Sequence, residues 1–450
     1  LRMLVNFSVE NYRSIKKRET LSLVSGRERR SSERLTSIKK QRGRLVPVVM
    51  IQGKNGAGKS NIIKALSCAL STIRNNPQLD EKLGAVHFKL CSECLTKPSV
   101  FSFVFVVEGE TYCYEFSITR DDVQSETLTW IKTKTSSVLF SRMGQTVNAS
   151  GLVGSEQERN DLRIIAQGTR RNQLFLNVIA QQAANVGEYS WSHTIKSIFA
   201  WLTKDIVILT PTMNKVLNDK KSLELLSKVI PLFDTGVNSV NLVELHKDAV
   251  DMPVGFENVL SVIPEGVSLT LPGGSIFIKK VQGEVHFYEV NTNHANDKGA
   301  ETAFKLDEES DGTIRLMTVL TFLNMLSEGE NGKTVIVDEI DRSLHTTLTE
   351  KLISDFLKWV ALTHKGQLIF TSHDSRLIKS LDLRRDEMWL VDKDASGATK
   401  LYSMAERNAK SSKDSVGLRV DKDLMELYLK GELGAIAKLK EENYFLRAAQ

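Results

Sequence analysis

The sequence predicts an α/β fold built around a buried, mostly parallel sheet, and three stretches predict it. Residues 47–51, 334–337 and 368–371 are apolar runs. Such short runs bounded by turn residues read as strands covered on both faces, and helical patterns between them read as βαβ steps. Each run ends in residues suited to phosphate or metal chemistry. The first leads into Gly53-Lys54-Asn55-Gly56-Ala57-Gly58-Lys59-Ser60, the second into Asp338-Glu339, and the third into Ser372-His373.

The first ending is G-x-x-x-x-G-K-S, the phosphate-binding loop. Gly53, Gly56 and Gly58 let the backbone curl so that its N–H groups, Asn55 among them, face phosphate oxygens. Lys59 supplies a positive charge to the β- and γ-phosphates, and the Ser60 hydroxyl is a ligand for Mg²⁺. Asn61 opens a helix over 61–72, whose N-terminus is aimed at the anion.

The whole chain sets bounds. Its 450 residues are enough for two or three domains. A hydrophobic content of 41% with 26% charged residues is that of a soluble globular chain. No apolar run approaches ~18 residues, so no membrane span is expected. No secretory leader is read at the N-terminus, and the expected location is the cytoplasm. Four cysteines argue for a reducing compartment without a disulfide framework. Cys91-Ser92-Glu93-Cys94 reads either as a metal or redox pair or as two ordinary loop thiols. No second pair follows at zinc-finger spacing, which favours the plainer reading. The net charge of +5 is mildly basic and compatible with nucleic acid.

In chain order, alternation at Val5, Phe7 and Val9 predicts a strand over 4–10, and Leu21 with Leu23 a second short one. Residues 27–44 are rich in Arg and Lys, which reads as an electrostatic arm or as a solvated loop. Residues 100–107 and 111–119 form a hairpin around Glu108-Gly109-Glu110, and 128–132 and 137–140 continue as strands. Helical spacing appears over 156–184, 192–202 and 215–230, where Pro231 closes the last segment. Residues 155–260 are therefore expected to be a helical insertion with its own small core. It divides an N-terminal part, 1–154, from a C-terminal part, 261–450. Strand character returns over 267–290, and 291–299 is expected to be a polar loop.

Glu339 beside Asp338 is the pattern a nucleotide hydrolase needs. Asp338 holds Mg²⁺, and Glu339 polarises the attacking water. One βαβ step places His373 at the same sheet edge, where its imidazole reaches a γ-phosphate. Ser310, Gly312 and the helix expected over 313–327 form an anion-binding end, or simply an N-cap.

The order phosphate loop, Glu309-Ser310-Asp311-Gly312-Thr313, Val337-Asp338-Glu339, Thr371-Ser372-His373 resembles the ABC-type ATPases, in particular the SMC/Rad50/RecF-like branch. Asn11-Tyr12-Arg13-Ser14 resembles the N-terminal arginine motif of that branch. The closing stretches 383–391, 397–403 and 428–436 are similar to bacterial ATP-binding proteins of the AAA-15/AAA-21 group, many of them in phage-defence modules such as Septu, PARIS and retron systems. The resemblance implies an ATPase head using ATP and Mg²⁺. Arg13 would contact ATP, and Ser310 and Gly312 would reach the ATP of a second copy. Ser343-Leu344-His345 would be the D-loop, Glu339 the base and His373 the switch histidine. It also implies self-association and a separately encoded nuclease or toxin effector under ATP control, with DNA or a phage protein as further partners. Two readings compete with it: a RecF-like repair ATPase acting on DNA, and an ATP-locked scaffold storing a toxin. The signature departs from the family's Leu-Ser-Gly-Gly-Gln pattern, and no glutamine-loop residue is assigned. Asp392-Lys393-Asp394 has the D-x-D look of a TOPRIM nuclease, but Gly397 makes it a hairpin.

Overall fold

The computed structural model describes residues 1–38, 43–185, 189–210, 220–250, 252, 256, 259–260, 263–264, 268–271, 276–327 and 332–406. The closing stretch 428–436 and residues 215–219 of an expected helix lie outside the described residues, as do 39–42 of the basic stretch. By internal contacts the chain forms two compact units. One comprises Leu1–Ile208, Gly329–Asp338 and Leu352–Gln450, the other Leu209–Glu328 and Glu339–Lys351.

The first unit holds the α/β layer. Its six-stranded sheet runs in the order Ile206–Leu209, Thr334–Val337, Gln367–Thr371, Val48–Gln52, Met388–Lys393, Thr399–Ser403. The Thr334–Val337, Gln367–Thr371, Val48–Gln52 and Met388–Lys393 strands are mutually parallel. Every residue of the first three is buried. Parallel strands covered on both faces are apolar through their middles, and the polar residues Gln52, Thr334, Gln367 and Thr371 stand at their ends, buried and hydrogen-bonded. The helix Lys59–Arg74 covers the sheet with Ile62, Ile63, Leu66 and Leu70.

A second, antiparallel sheet of seven strands pairs Arg2–Glu10 with both Glu19–Ser22 and Ser99–Val107, then continues as a meander to Thr146–Asn148. Its inner face is aromatic. Phe101, Phe103, Phe105, Tyr114 and Phe116 are fully buried, and Phe105 stacks on Trp201 at 4.5 Å between ring centroids.

The helices Glu156–Gly168, Phe175–Asn185 and Ser192–Ala200 belong to this unit and join the same core through Leu162, Phe175 and Ile195. The helical pattern over 156–184 is broken at 169–174. There the fully buried Glu126, from strand Val123–Ile131, accepts hydrogen bonds from the Phe175 and Leu176 amides at 2.7 and 2.8 Å. A carboxylate from a distant strand thus satisfies the free N–H groups of a helix start.

The second unit is built on antiparallel strands. Glu284–Ala295 pairs with Val237–Leu245, Ile276–Val281 and Glu301–Lys305. Val237–Leu245 lies inside the stretch expected to be a helical insertion, and 291–295, expected to be loop, are strand. The Gln282-Gly283 turn has φ of +53° and +84°, the left-handed pair of a tight hairpin. Helix Lys220–Val229 is fixed to its neighbouring strand by the Ser227 hydroxyl, which exchanges 2.8 Å bonds with the Val240 amide and carbonyl.

The basic stretch is folded against the body of the first unit. Arg34, in the turn Ser32–Arg34, is buried and donates to both carboxylate oxygens of Glu387 at 3.1 and 2.6 Å. Arg30 pairs with Asp382. Arg384 donates to Asp386 and to the Arg30 carbonyl. Arg34 is thus neither a free arm nor solvated but half of a buried ion pair, whereas Arg27, Arg29 and Arg30 are exposed. Burial pushes the Glu387 carboxyl up to about 7, against the downward pull of Arg34. Its folded pKa lies above its unfolded one, so its stabilising contribution is complete below pH ~4.5 and is lost as pH rises through ~7. Glu387→Gln is expected to flatten the pH dependence of the urea midpoint across that window, and an unchanged slope would exclude this assignment.

Candidate nucleotide site

Within the first unit the parallel strands deliver their carboxyl ends to one edge, where open α/β sheets bind ligands. Val48–Gln52 ends in the glycine loop, Thr334–Val337 in Asp338, and Gln367–Thr371 in Ser372-His373. The sequence-predicted residues of these three runs in this unit are thus brought together.

The loop is shaped by what surrounds it. Gly58 has φ of +114°, and a Cβ there would lie 2.2 Å from Thr399 Oγ1. A Cβ on Gly53 would lie 2.3 Å from the Val391 carbonyl oxygen. Only glycine fits either place. Gly56 also has positive φ, +76°, but open space around it. Asn55, between Gly53 and Gly56, is exposed like Gly56, and Lys54 is half-exposed.

Lys59 is 4% exposed. Its ammonium donates to the Gly53 carbonyl at 2.5 Å and lies 3.3 Å from His373 Nδ1. The Ser60 hydroxyl lies 3.3 Å from Asp338 Oδ1, which also accepts from Thr371 Oγ1 at 2.6 Å. A hydroxyl and a nearly buried carboxylate meeting at a phosphate loop are hard oxygen donors of the kind Mg²⁺ takes. These residues fit that ion.

Three supports escape the sequence reading. Thr371 holds Asp338, and its place as the last residue of its strand, one past the Val337–Phe370 pair, is the signal for it. Gln52 donates to the Asp374 carbonyl at 2.8 Å and so pins the His373 turn beside the loop. Third, Asn61 donates to Ser14 Oγ at 2.7 Å, Ser14 meets Thr399 Oγ1 at 2.7 Å, and Thr399 donates to the Ala57 carbonyl at 2.9 Å. No local pattern marks Thr399, because its partners are hundreds of residues away.

Arg13 has φ of +51° and is exposed. Its guanidinium lies over the Tyr12 ring, 5.6 Å from the centroid, and its amide donates to the Val86 carbonyl at 2.6 Å.

The remaining site candidates lie in the second unit. Ser310 caps helix Asp311–Asn324, accepting from the Thr313 amide at 3.1 Å, and is exposed. A Cβ on Gly312 would come within 2.9 Å of the Ser343 carbonyl oxygen. Glu339 has φ of +50°, and its carbonyl accepts from buried Arg315 at 3.0 Å and from the Arg342 amide at 3.1 Å. Helix Asp311–Asn324 is thus fastened to the turn that begins at Glu339.

Asp392-Lys393-Asp394 forms the hairpin expected of it. The Asp394 carboxylate accepts from the Ser396 and Ala398 amides, and Asp392 pairs with Lys54 at 2.7 Å. Among the described residues no helix is long and apolar enough to cross a membrane.

Residues 48–379 match the family model described as AAA domain, putative AbiEii toxin, Type IV TA system. Among solved structures the chain is similar to the SMC head domain from Thermotoga maritima, at 14% identity over 89% of this chain and 98% of that one, with a TM-score of 0.33. It is also similar to the recombination mediator protein RecF with ATP, at 14% identity over 83% and 94%, with a TM-score of 0.36. No curated protein matches it.

Proposed function

The chain belongs to this AAA-domain family, and from that premise we propose that it is an ABC-type ATPase that closes Mg·ATP between two copies of itself. The observation that carries the reading is the meeting of Lys59, Ser60, Asp338 and His373 at one sheet edge, with Ser60 Oγ and Asp338 Oδ1 3.3 Å apart. Ser60 and Asp338 would hold Mg²⁺, which would supply neutralisation of charge on the β- and γ-phosphates. Lys59 exchanges the Gly53 carbonyl for phosphate oxygens. Gly53, Asn55, Gly56, Gly58 and Asn61 surround the phosphates, and Arg13 contacts the nucleotide. His373 bonds the γ-phosphate, and Glu339 takes the proton of the attacking water.

Ser310 and Gly312 complete the site from the second copy. An exposed helix start with free N–H groups suits that task, because it brings partial positive charge to the γ-phosphate. The composite site exists only when the copies close, so ATP acts as removable glue. We assign the output of this cycle to a bacterial antiphage module, in which the ATPase senses infection and restrains or releases a separately encoded nuclease or toxin. The family's description as a putative toxin of a toxin–antitoxin system supports the link to toxin control, and the antiphage setting rests on the sequence resemblance. The DNA-acting alternative drew on the basic stretch, and its Arg30 and Arg34 are engaged with Asp382 and Glu387.

Light scattering tests the composite site. The mass of the chain is expected to double with Mg·ATP. Ser310→Arg is expected to retain nucleotide binding but remain at the single-chain mass. A wild-type chain that stays monomeric at saturating Mg·ATP rejects the sandwich.

A further inference from the structure

Cys91 and Cys94 take no part in the site described above, yet they are wired to it. Cys91 precedes the short turn Ser92–Leu95, and the Cys94 amide donates to the Cys91 carbonyl at 3.1 Å. A turn closed by an i to i+3 bond holds its end Cα atoms within about 7 Å, which overlaps the range a disulfide spans. The thiols are placed unequally. Cys91 is half-exposed, whereas Cys94 is 6% exposed and packs with Phe88 and Ala398. A hydrogen bond from Cys94 holds the Cys91 thiol below its usual range, with Lys16 adding to the effect, while burial pushes Cys94 up. An accessible nucleophile beside a buried resolving thiol is the arrangement that dithiol oxidation requires.

The wiring begins at Asn11, which is buried and has φ of +49°. Its Nδ2 donates to the carbonyls of Cys94 and Lys97, both at 2.8 Å. Its Oδ1 accepts from the Phe88 amide at 3.2 Å, and its carbonyl accepts from Ser99 Oγ at 2.7 Å. The turn that Asn11 anchors carries Ser14, the middle member of the Asn61–Ser14–Thr399–Ala57 chain that clasps the phosphate loop. A second route runs from Cys94 through Ala398, its packing partner, to Thr399 next along the chain.

We propose that Cys91 and Cys94 are a redox-modification site, at which a peroxide converts the dithiol to a disulfide and so loosens the clasp on the phosphate loop. The Cys91 thiolate attacks a peroxide oxygen and becomes a sulfenic acid, and the leaving oxygen takes up a proton as water. The Cys94 sulfur attacks the sulfenic sulfur, the S–S bond forms, and the hydroxyl leaves with the Cys94 proton as a second water. Two electrons pass from the sulfurs to the peroxide. Drawing the Cys94 sulfur toward Cys91 pulls its side chain out of the packing with Phe88 and Ala398, and the backbone that follows moves the Cys94 carbonyl off Asn11.

The experiment treats the full chain with hydrogen peroxide and maps disulfides by mass spectrometry, with Cys91→Ser as the comparison. A Cys91–Cys94 disulfide is expected, together with faster hydrogen exchange of the 53–61 amides. The ATP dissociation constant is expected to rise about tenfold and to be restored by dithiothreitol, while Cys91→Ser shows no response to peroxide. Absence of that disulfide, or its formation with unchanged exchange over 53–61, overturns the proposal. The effect on ATP rests on the nucleotide reading given above. If the reduced chain binds no ATP, that reading fails, while the disulfide map and the exchange still decide the redox site.

Discussion

Lys59→Ala is expected to raise the ATP dissociation constant by at least ~100-fold while leaving the fold intact. The ammonium is nearly buried, lies against the Gly53 carbonyl at 2.5 Å and stands 3.3 Å from His373. It is the one lysine of the motif placed among the ends of the three strands. Charge-assisted hydrogen bonds to phosphate contribute roughly 1.5–3 kcal/mol each, and two of them account for the loss. Removing a nearly buried cation also relieves its desolvation cost in the nucleotide-free chain, so little loss of stability is expected. Calorimetric titration with ATP, beside a thermal melt of the free chain, separates the two effects. A variant that melts like wild type and binds ATP as tightly would show that the phosphates lie elsewhere.

What the sequence made legible follows the range over which each constraint acts. The loop is readable because the phosphates dictate one glycine spacing and a strand and helix on either side. Asp338 and His373 are readable because parallel strands place successive chain ends along one edge. Glu126 is not readable as a helix cap, since it reaches Phe175 and Leu176 from a strand some fifty residues upstream. Nor is the Ser14–Thr399 clasp, which depends wholly on tertiary approach. The strand Val237–Leu245 hides for a different reason. Its register shifts between Val237 and Ser239, so the bulge breaks the two-residue period that marks a half-buried strand.

Residues 291–295 show tertiary pairing overriding composition. Asn291, Asn293 and Ala295 are of types depleted in strands, yet this segment pairs on both sides. Thr292 is fully buried, Asn293 donates to Ser239 and Glu301, and His294 lies 2.7 Å from Glu309. The polar side chains that suggest a loop serve instead as links across the sheet.

Glu339→Gln is expected to separate binding from turnover. Glutamine keeps the shape of the side chain but cannot accept the proton of the attacking water. General-base assistance is worth about 10²–10⁴-fold, so kcat should fall by about that factor with little change in ATP affinity. The Glu339 carbonyl accepts from Arg315 and from the Arg342 amide, and the substitution leaves both backbone bonds in place. Asp338→Asn should behave differently. It removes the charge from the oxygen that meets Ser60 and Thr371, so it weakens the Mg²⁺ dependence of binding itself. If ATP holds two copies together and hydrolysis releases them, the Glu339→Gln chain should accumulate as a long-lived ATP-bound dimer. Phosphate release and light scattering on the same samples measure both consequences. Unimpaired turnover in Glu339→Gln would remove the base from the mechanism. Slow turnover without dimer build-up would keep the base and break the link between hydrolysis and opening.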